Sequence, residues 1–278
     1  MLYQLYRVHT IFVVGVKLYM TVTNKHVLVI PAHGFGTRIR ELTGGMPKTL
    51  LEVGGQPILA RLLMVASKVP DTRVVIYAQP EDKYITQFLN RYRFSCNVEL
   101  RRMVPEGYLR ALVNIRRDIG SEFSVFDSDL VAPLPELIRF LHEAHNWQQK
   151  VPLIIGGTRK PEMNDERVLW LSPINDDSAT ITPSGGHQEL RFANAYHWQL
   201  TGLQEVEELV ASSKSATFHT YMADLAQRRC LVGCVHLSTA HNINTSVQLT
   251  NAQADTLKWQ SLGIERVFTL VPLKEDQE

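Results

Sequence analysis

The chain has 278 residues, 45% apolar and 21% charged, enough for one large α/β domain or two small ones and too apolar for a disordered chain. Its 29 basic and 28 acidic residues leave a formal charge of +1, which excludes a general attraction to nucleic acid and leaves any anion to a local cluster of cations. Cys96, Cys230 and Cys234 form an odd, sparse set that suits a reducing, cytoplasmic compartment, and Cys230 and Cys234, in the run CLVGCVHL without a second pair, read as buried thiols rather than metal ligands.

Residues 1–20, MLYQLYRVHTIFVVGVKLYM, hold an apolar stretch interrupted by Arg7, His9 and Lys17. It is too short and too charged for a membrane span, and no small-residue cleavage site follows it. An extra strand, an interface segment or an extension ahead of a start at Met20 would each account for it, and the extension is preferred. Residues 1–22 are therefore set apart from a domain over 23–262 and a tail over 263–278.

From residue 26, β-branched runs alternate with helical periodicity, as a parallel sheet with crossover helices requires. HVLVIPA reads as the first strand and QPILARLLMVASKV as a helix, followed by RVVIYA (strand), EDKYITQFLNRY (helix), NVELRR (strand), YLRALVNIRRDI (helix) and EFSVFDSDL (strand). LPELIRFLHEAH is a helix and VPLIIGG a further strand. Between 160 and 200 the short segments RVLWLS, SATIT and ELRFANAYHW, separated by DD and PSGG, predict an antiparallel insertion. Helices return at LQEVEELVASS and ATFHTYMADLAQRR, then CLVGCVHL (strand) and SVQLTNAQADTLKWQSL (helix) close the domain. The pattern predicts an α/β fold, a mainly parallel central sheet flanked by helices, with its site at the carboxyl ends of the strands.

The stretch PAHGFGTRIRELTGGMPKTLLEVGGQPIL, residues 31–59, sets a glycine-rich turn at the end of the first strand. Backbone N–H groups of such a turn can converge on phosphate oxygens because no Cβ blocks the approach. Arg38 and Lys48 supply charge for a triphosphate or a departing pyrophosphate. A strand-to-loop turn with solvated cations gives the same short pattern. The stretch satisfies neither GxGxxG nor GxxxxGK[ST], so dinucleotide binding and the P-loop lose support.

GFGTR (34–38), PK (47–48) and LLEVGGQPIL (50–59) together resemble the amino-terminal signature of the sugar-phosphate nucleotidyltransferases, or nucleotide-sugar pyrophosphorylases. The resemblance implies the nucleotide-diphospho-sugar transferase fold. It also implies the reaction of an NTP with a phosphorylated acceptor to give a nucleotide-activated precursor and pyrophosphate. FSVFDSDLVAP (123–133) is similar to the family strand whose closing aspartate binds magnesium. The resemblance puts Asp129 in that place. Asp127 lies two residues earlier, and strand alternation turns both side chains to one face.

Ala32, His33, Gly34, Phe35, Gly36, Thr37, Arg38 and Lys48 are expected to hold the nucleotide, with Gln79 a candidate base contact. VPEGYLRAL (104–112) falls where the family has a segment closing on base and ribose, which brings in Gly107 and Tyr108, although Tyr108, Leu109 and Arg110 replace small residues. Toward the C-terminus, aligning Ile243, Thr245 and Leu249 puts Asn242 where a second metal-binding aspartate is usual; it keeps a carbonyl ligand and loses the charge. A glutamate-lysine-proline motif used near the acceptor phosphate is missing from 175–192. Arg159, Lys160, Glu189, Asn194 and His197 are the available acceptor-side groups.

The expected function is Mg²⁺-dependent nucleotidyl transfer to a sugar phosphate or similar small acceptor, with Arg38, Lys48 and Asp129 catalytic and Asp129, Asp127 and Asn242 at the metal. The partners implied are an NTP and that acceptor, with no nucleic acid and no membrane; an oligomer is left open. The competing reading is a catalytically weakened regulatory subunit that binds a nucleotide or nucleotide sugar, which Asn242 and the missing lysine favour.

Overall fold

The computed structural model of the chain describes residues 26–34, 36–120, 122–158, 170–173, 178–182, 190–266 and 268–272. The expectation for residues 1–22 lies outside them. The strand predicted first, β1 (His26–Ala32), buries Leu28 and Ile30 against one core and Val29 against the other. Such two-sided burial marks a strand covered by helices on both faces.

The remaining strands of the central sheet are β2 (Thr72–Ala78), β3 (Asn97–Arg102), β4 (Phe123–Phe126), β5 (Leu153–Thr158), β6 (Trp170–Pro173), β7 (Ser178–Thr182), β8 (Leu190–Trp198) and β9 (Leu231–Leu237). Nine described strands pair in the order β6-β7-β9-β5-β8-β4-β1-β2-β3. One parallel block contains β4, β1, β2 and β3, and β5 and β9 form a second parallel pair. Between them β8 runs antiparallel to both β4 and β5.

The antiparallel segments expected over 160–200 are present, and one of them, β8, takes a central place in the sheet. Trp170–Pro173 and Ser178–Thr182 do pair antiparallel at an edge, but Leu190–Trp198 lies in the middle of the sheet. The reason is visible in its side chains: Ala193 and Ala195 pack into one core, Tyr196 and Trp198 into the other. Turn residues such as PSGG mark where a strand begins without saying which neighbour it finds.

Seven helices enclose the sheet among the described residues: α1 (Ile58–Lys68), α2 (Tyr84–Arg91), α3 (Tyr108–Ile119), α4 (Leu134–His145), α5 (Leu200–Ser212), α6 (Phe218–Gln227) and α7 (Ser246–Ser261). A four-residue helical turn, Arg40–Thr43, lies ahead of them. α1, α2, α4 and α7 contribute to the core beneath Leu28 and Ile30, whereas α3, α5 and α6 cover the face of Val29 and Val75. α1 begins at Ile58, after Gln56–Pro57 pairs with Glu52–Val53; the proline locks its own φ and holds the preceding residue extended. Its one buried cation, Arg61, forms a two-pronged ion pair with Glu265 at 2.6 and 3.0 Å. That pairing satisfies both groups where water does not reach.

The parallel strands β1, β2, β3 and β4 end on the same side of the sheet, at Ala32, Ala78, Arg102 and Phe126. Their following loops carry Gly34, Gln79, Gly107 and Asp129, which gathers four separated sequence segments at one rim. Among the described residues no helix is long and apolar enough to cross a membrane.

Candidate active site

At the end of β1 the chain leaves the sheet through His33 and Gly34 and turns at Gly36, which has φ +58°. This left-handed conformation strains any residue with a Cβ, so the glycine permits the turn into the short helical segment Thr37–Ile39. At Gly34 an added Cβ would meet nothing within 4 Å, which leaves open space for a ligand. Gln79, at the end of β2, donates its amide N–H to the His33 carbonyl at 3.0 Å and braces the loop. Burial holds the His33 imidazole below its usual pKa.

A cavity of about 520 Å³ opens on this loop, lined by Ala32, His33, Gly34, Gly36, Arg38, Lys48, Gly107, Tyr108, Asp127 and Asp129, together with Asn194 and Asn244. Nearly all the residues expected to bind nucleotide thus meet around one space. Gln79 lines a second cavity of about 340 Å³, which shares Ala32, Gly34 and Lys48 with the first. Phe35 lies outside the described residues.

Lys48 and Asp129, 81 positions apart, form an ion pair across the cavity wall. Lys48 also donates to Asn244 Oδ1 at 3.1 Å. Asp129 in turn accepts the Ile243 N–H on its backbone carbonyl at 3.2 Å, and Asn242 pairs with Leu130 in the adjoining two-residue ladder. That ladder brings the segment before α7 alongside Asp129. Asn244, not Asn242, is the residue of this segment that lines the cavity.

Asp127 has its backbone N–H donated to the Asn194 carbonyl at 3.1 Å, but its Oδ1 is buried with no hydrogen-bond partner among the described residues. Burial, reinforced by the neighbouring Asp129 charge and opposed by Lys48, pushes its carboxyl well above the usual range. Asn242 Oδ1 and the Tyr108 hydroxyl are likewise buried and unpartnered. Tyr108 packs its ring edge-on to Tyr196 and Phe218, with centroids 6.3 and 5.0 Å away, and burial raises its phenol well above its ordinary pKa. Tyr108 thus lines the cavity as part of an aromatic cluster, with its hydroxyl buried.

Asn194 enters the wall through an irregularity in β8, where the register against β5 shifts between Phe192 and Tyr196 and Asn194 adopts φ +54°. The bulge lets its side chain accept the Tyr196 hydroxyl at 3.0 Å. His197 does not join it: its two ring nitrogens bond Ser124 Oγ at 2.9 Å and Glu122 at 3.0 Å, at the amino ends of the strands. Its register opposite Ser124 sets it toward the start of β4, away from the rim where Asn194 lies. Arg159, Lys160 and Glu189 lie outside the described residues.

Among the described residues no group of three or more His, Cys, Asp or Glu side chains is assembled to hold a metal. The donor set fits a hard cation nonetheless: two carboxylates on the cavity wall, one carrying a buried unpartnered oxygen. Sequence reasoning missed Asn244. Its contact with Lys48 follows from the short ladder that pairs Asn242 with Leu130, a pairing at a distance that no local pattern signals.

Residues 27–165 match the family described as nucleotidyl transferase. Two curated relatives are the mannose-1-phosphate guanyltransferases of Hypocrea jecorina, 32% identical over 120 residues, and of Kluyveromyces lactis, 32% identical over 122. In each case the alignment covers 40% of this chain and 33% of the relative, so it spans about a third of those proteins. Among solved structures, the UTP-bound UGPase of Acinetobacter baumannii superposes with a TM-score of 0.66 at 14% identity, covering 86% of this chain and 99% of that one. The inositol-1-phosphate CTP transferase of T. maritima gives 0.62 at 14%, over 84% and 96%. At these identities the superpositions establish the shared fold.

Proposed function

The chain belongs to the nucleotidyl transferase family, and from that premise we propose that it transfers a nucleotidyl group from an NTP to a sugar phosphate, releasing pyrophosphate. The observation that carries this reading is the convergence of Lys48 and Asp129 beside the Gly34–Gly36 turn in one cavity.

In the proposed reaction a phosphate oxygen of the acceptor attacks the α-phosphorus in line, and the bond from that phosphorus to the pyrophosphate oxygen breaks. The acceptor phosphate is already anionic near neutral pH, so no protein base is required. The chain's work is electrostatic: the glycine turn offers N–H groups to phosphate, and Arg38 and Lys48 balance the charge that builds on the leaving pyrophosphate. Asp129 and Asp127 would hold Mg²⁺, whose positive charge offsets the repulsion between the two phosphates. Tyr108, Asn194 and Gly107 line the same cavity and would border the nucleoside or acceptor.

The catalytically weakened binding subunit is kept as a second reading, because Asn242 replaces the usual second carboxylate and no three-ligand metal group is assembled among the described residues. A pyrophosphate-release screen separates the two. Four NTPs are tested with Mg²⁺ against sugar phosphates and phosphocholine, with GTP and mannose 1-phosphate first because the curated relatives carry that activity in their names. Release that depends on both substrates and disappears in Lys48→Ala supports the enzyme; nucleotide binding without release from any pair supports the subunit.

A further inference from the structure

Lys48 has two acceptors, and they belong to different parts of the chain. One is Asp129 at the end of β4 and the other is Asn244 just ahead of α7, at 3.1 Å. Asn244 is itself anchored: its backbone N–H donates to Gln248 Oε1 at 2.7 Å, and its side-chain amide donates to the Asn242 carbonyl at 3.5 Å. Its Oδ1 is thereby aimed into the cavity it lines.

The ion pair creates a conflict for catalysis. The ammonium and a divalent cation are both attracted to the Asp129 carboxylate, and they repel each other at contact distance. Lys48 would therefore have to leave Asp129 if that carboxylate is to hold Mg²⁺ with a nucleotide. A lysine side chain set loose can take up many rotamers, yet the leaving pyrophosphate needs it in one place.

We propose that Asn244 is a positioning residue for Lys48, an acceptor that keeps its ammonium inside the cavity once Asp129 is taken by the metal. This assignment rests on the proposed function and adds to it a residue outside the expected catalytic set. It also means that Lys48 shields Asp129 in the ligand-free protein, so that metal binds poorly until the nucleotide arrives.

The two hydrogen-bonding ends of Asn244 make the idea separable from a structural role. Asn244→Ala removes both the acceptor toward Lys48 and the amide donor toward Asn242. Asn244→Asp keeps the acceptor and removes the donor. The expected result, at saturating NTP and acceptor, is a kcat at least tenfold lower for Asn244→Ala and within about threefold of wild type for Asn244→Asp. Binding of Mn²⁺ to the nucleotide-free protein, followed by electron paramagnetic resonance, should tighten at least fivefold in Lys48→Met. Equal losses of kcat in the two Asn244 variants would show that the amide donor, and hence local structure, is what matters. Mn²⁺ affinity unchanged or weaker in Lys48→Met would show that Lys48 does not shield Asp129. Either result overturns the assignment while leaving the proposed function standing; absence of pyrophosphate release by the wild type overturns both.

Discussion

The two ends of the central sheet treat buried polar groups in opposite ways. At the amino ends of β1 and β4, Ser124, His197 and Glu122 bond one another in a chain, and His26 lies against His145 with ring centroids 3.9 Å apart. The space among them is only about 50 Å³, too small for anything beyond a water molecule or two. At the carboxyl ends, Asp127 Oδ1 and the Tyr108 hydroxyl are buried without partners, in residues that line a cavity of ten times that volume. Polar groups that answer one another hold a structure; unanswered polar atoms in the residues around a cavity mark where a ligand is to be sought.

The largest effects should follow from substitutions at the carboxyl end. Asp129→Ala is expected to eliminate Mg²⁺-dependent pyrophosphate release, whereas Asp127→Ala should leave a measurable remnant. Lys48→Ala and Arg38→Ala should each lower kcat about 10²- to 10³-fold, the usual consequence of losing one preorganised charge-stabilising group. All four should unfold cooperatively. Unchanged kcat/KM in both cation variants would remove the phosphate site from this rim.

The reverse outcome is expected at the amino end. His197→Ala strands Ser124 and Glu122 and should lower unfolding stability by about 1–3 kcal/mol, with turnover unaffected at a temperature where the variant is folded. Urea titration and steady-state kinetics on the same preparation test both halves. A folded His197→Ala protein without turnover would erase the distinction between the two ends.

The same cluster gives a pH dependence with a definite sign. Burial first, then His145, His142 and His197, lower the His26 pKa from 6.5 to about 4, with Asp71 opposing. The unfolded chain therefore binds the proton more readily, and stability is complete above pH 6.5 and is lost as the pH falls toward 4. Glu122, held below its usual range chiefly by the His197 hydrogen bond, loses stability in the same direction on further acidification. Because His26 is partly exposed, its share after solvent screening should be about 1–2 kcal/mol. His26→Gln should flatten the urea midpoint between pH 6.5 and 4; an unaltered slope would remove this assignment.

The smallest expected effect sharpens the carboxyl end. Asn242→Asp restores a carboxylate near Asp129 and should lower the Mg²⁺ concentration for half-maximal turnover a few-fold, with kcat similar or higher. Collapse of turnover in this variant would mean that the asparagine has a positive role of its own.

The sequence made the glycine turn, Lys48 and Asp129 legible because each belongs to a contiguous pattern with a mechanical purpose. The helices α3 and α4 were legible to the residue, since Tyr108–Ile119 and Leu134–His145 each carry an unbroken helical periodicity. What escaped was pairing at a distance. Nothing in residues 189–198 says that β8 will lie between β4 and β5, or that its register will set His197 opposite Ser124 and leave Asn194 at the rim. Asn244 escaped for a related reason: its contact with Lys48 depends on the register of a two-residue ladder, which periodicity cannot reveal.

The reversed strand β8 also has a cost in time. During synthesis, β1 to β4 can pair as soon as Phe126 has emerged, but the open edge of β4 must wait for β8, about 60 residues later. At the usual elongation speed that is roughly 3–12 s, long compared with the formation of a hairpin or helix. Through that interval the exposed edge offers Phe123, Val125 and Phe126 to any other unpaired strand, a standing invitation to aggregate. A nascent chain of this protein should therefore depend on ribosome-associated chaperones most strongly while residues 130–190 are being made, and a slow codon tract placed there would lengthen the danger.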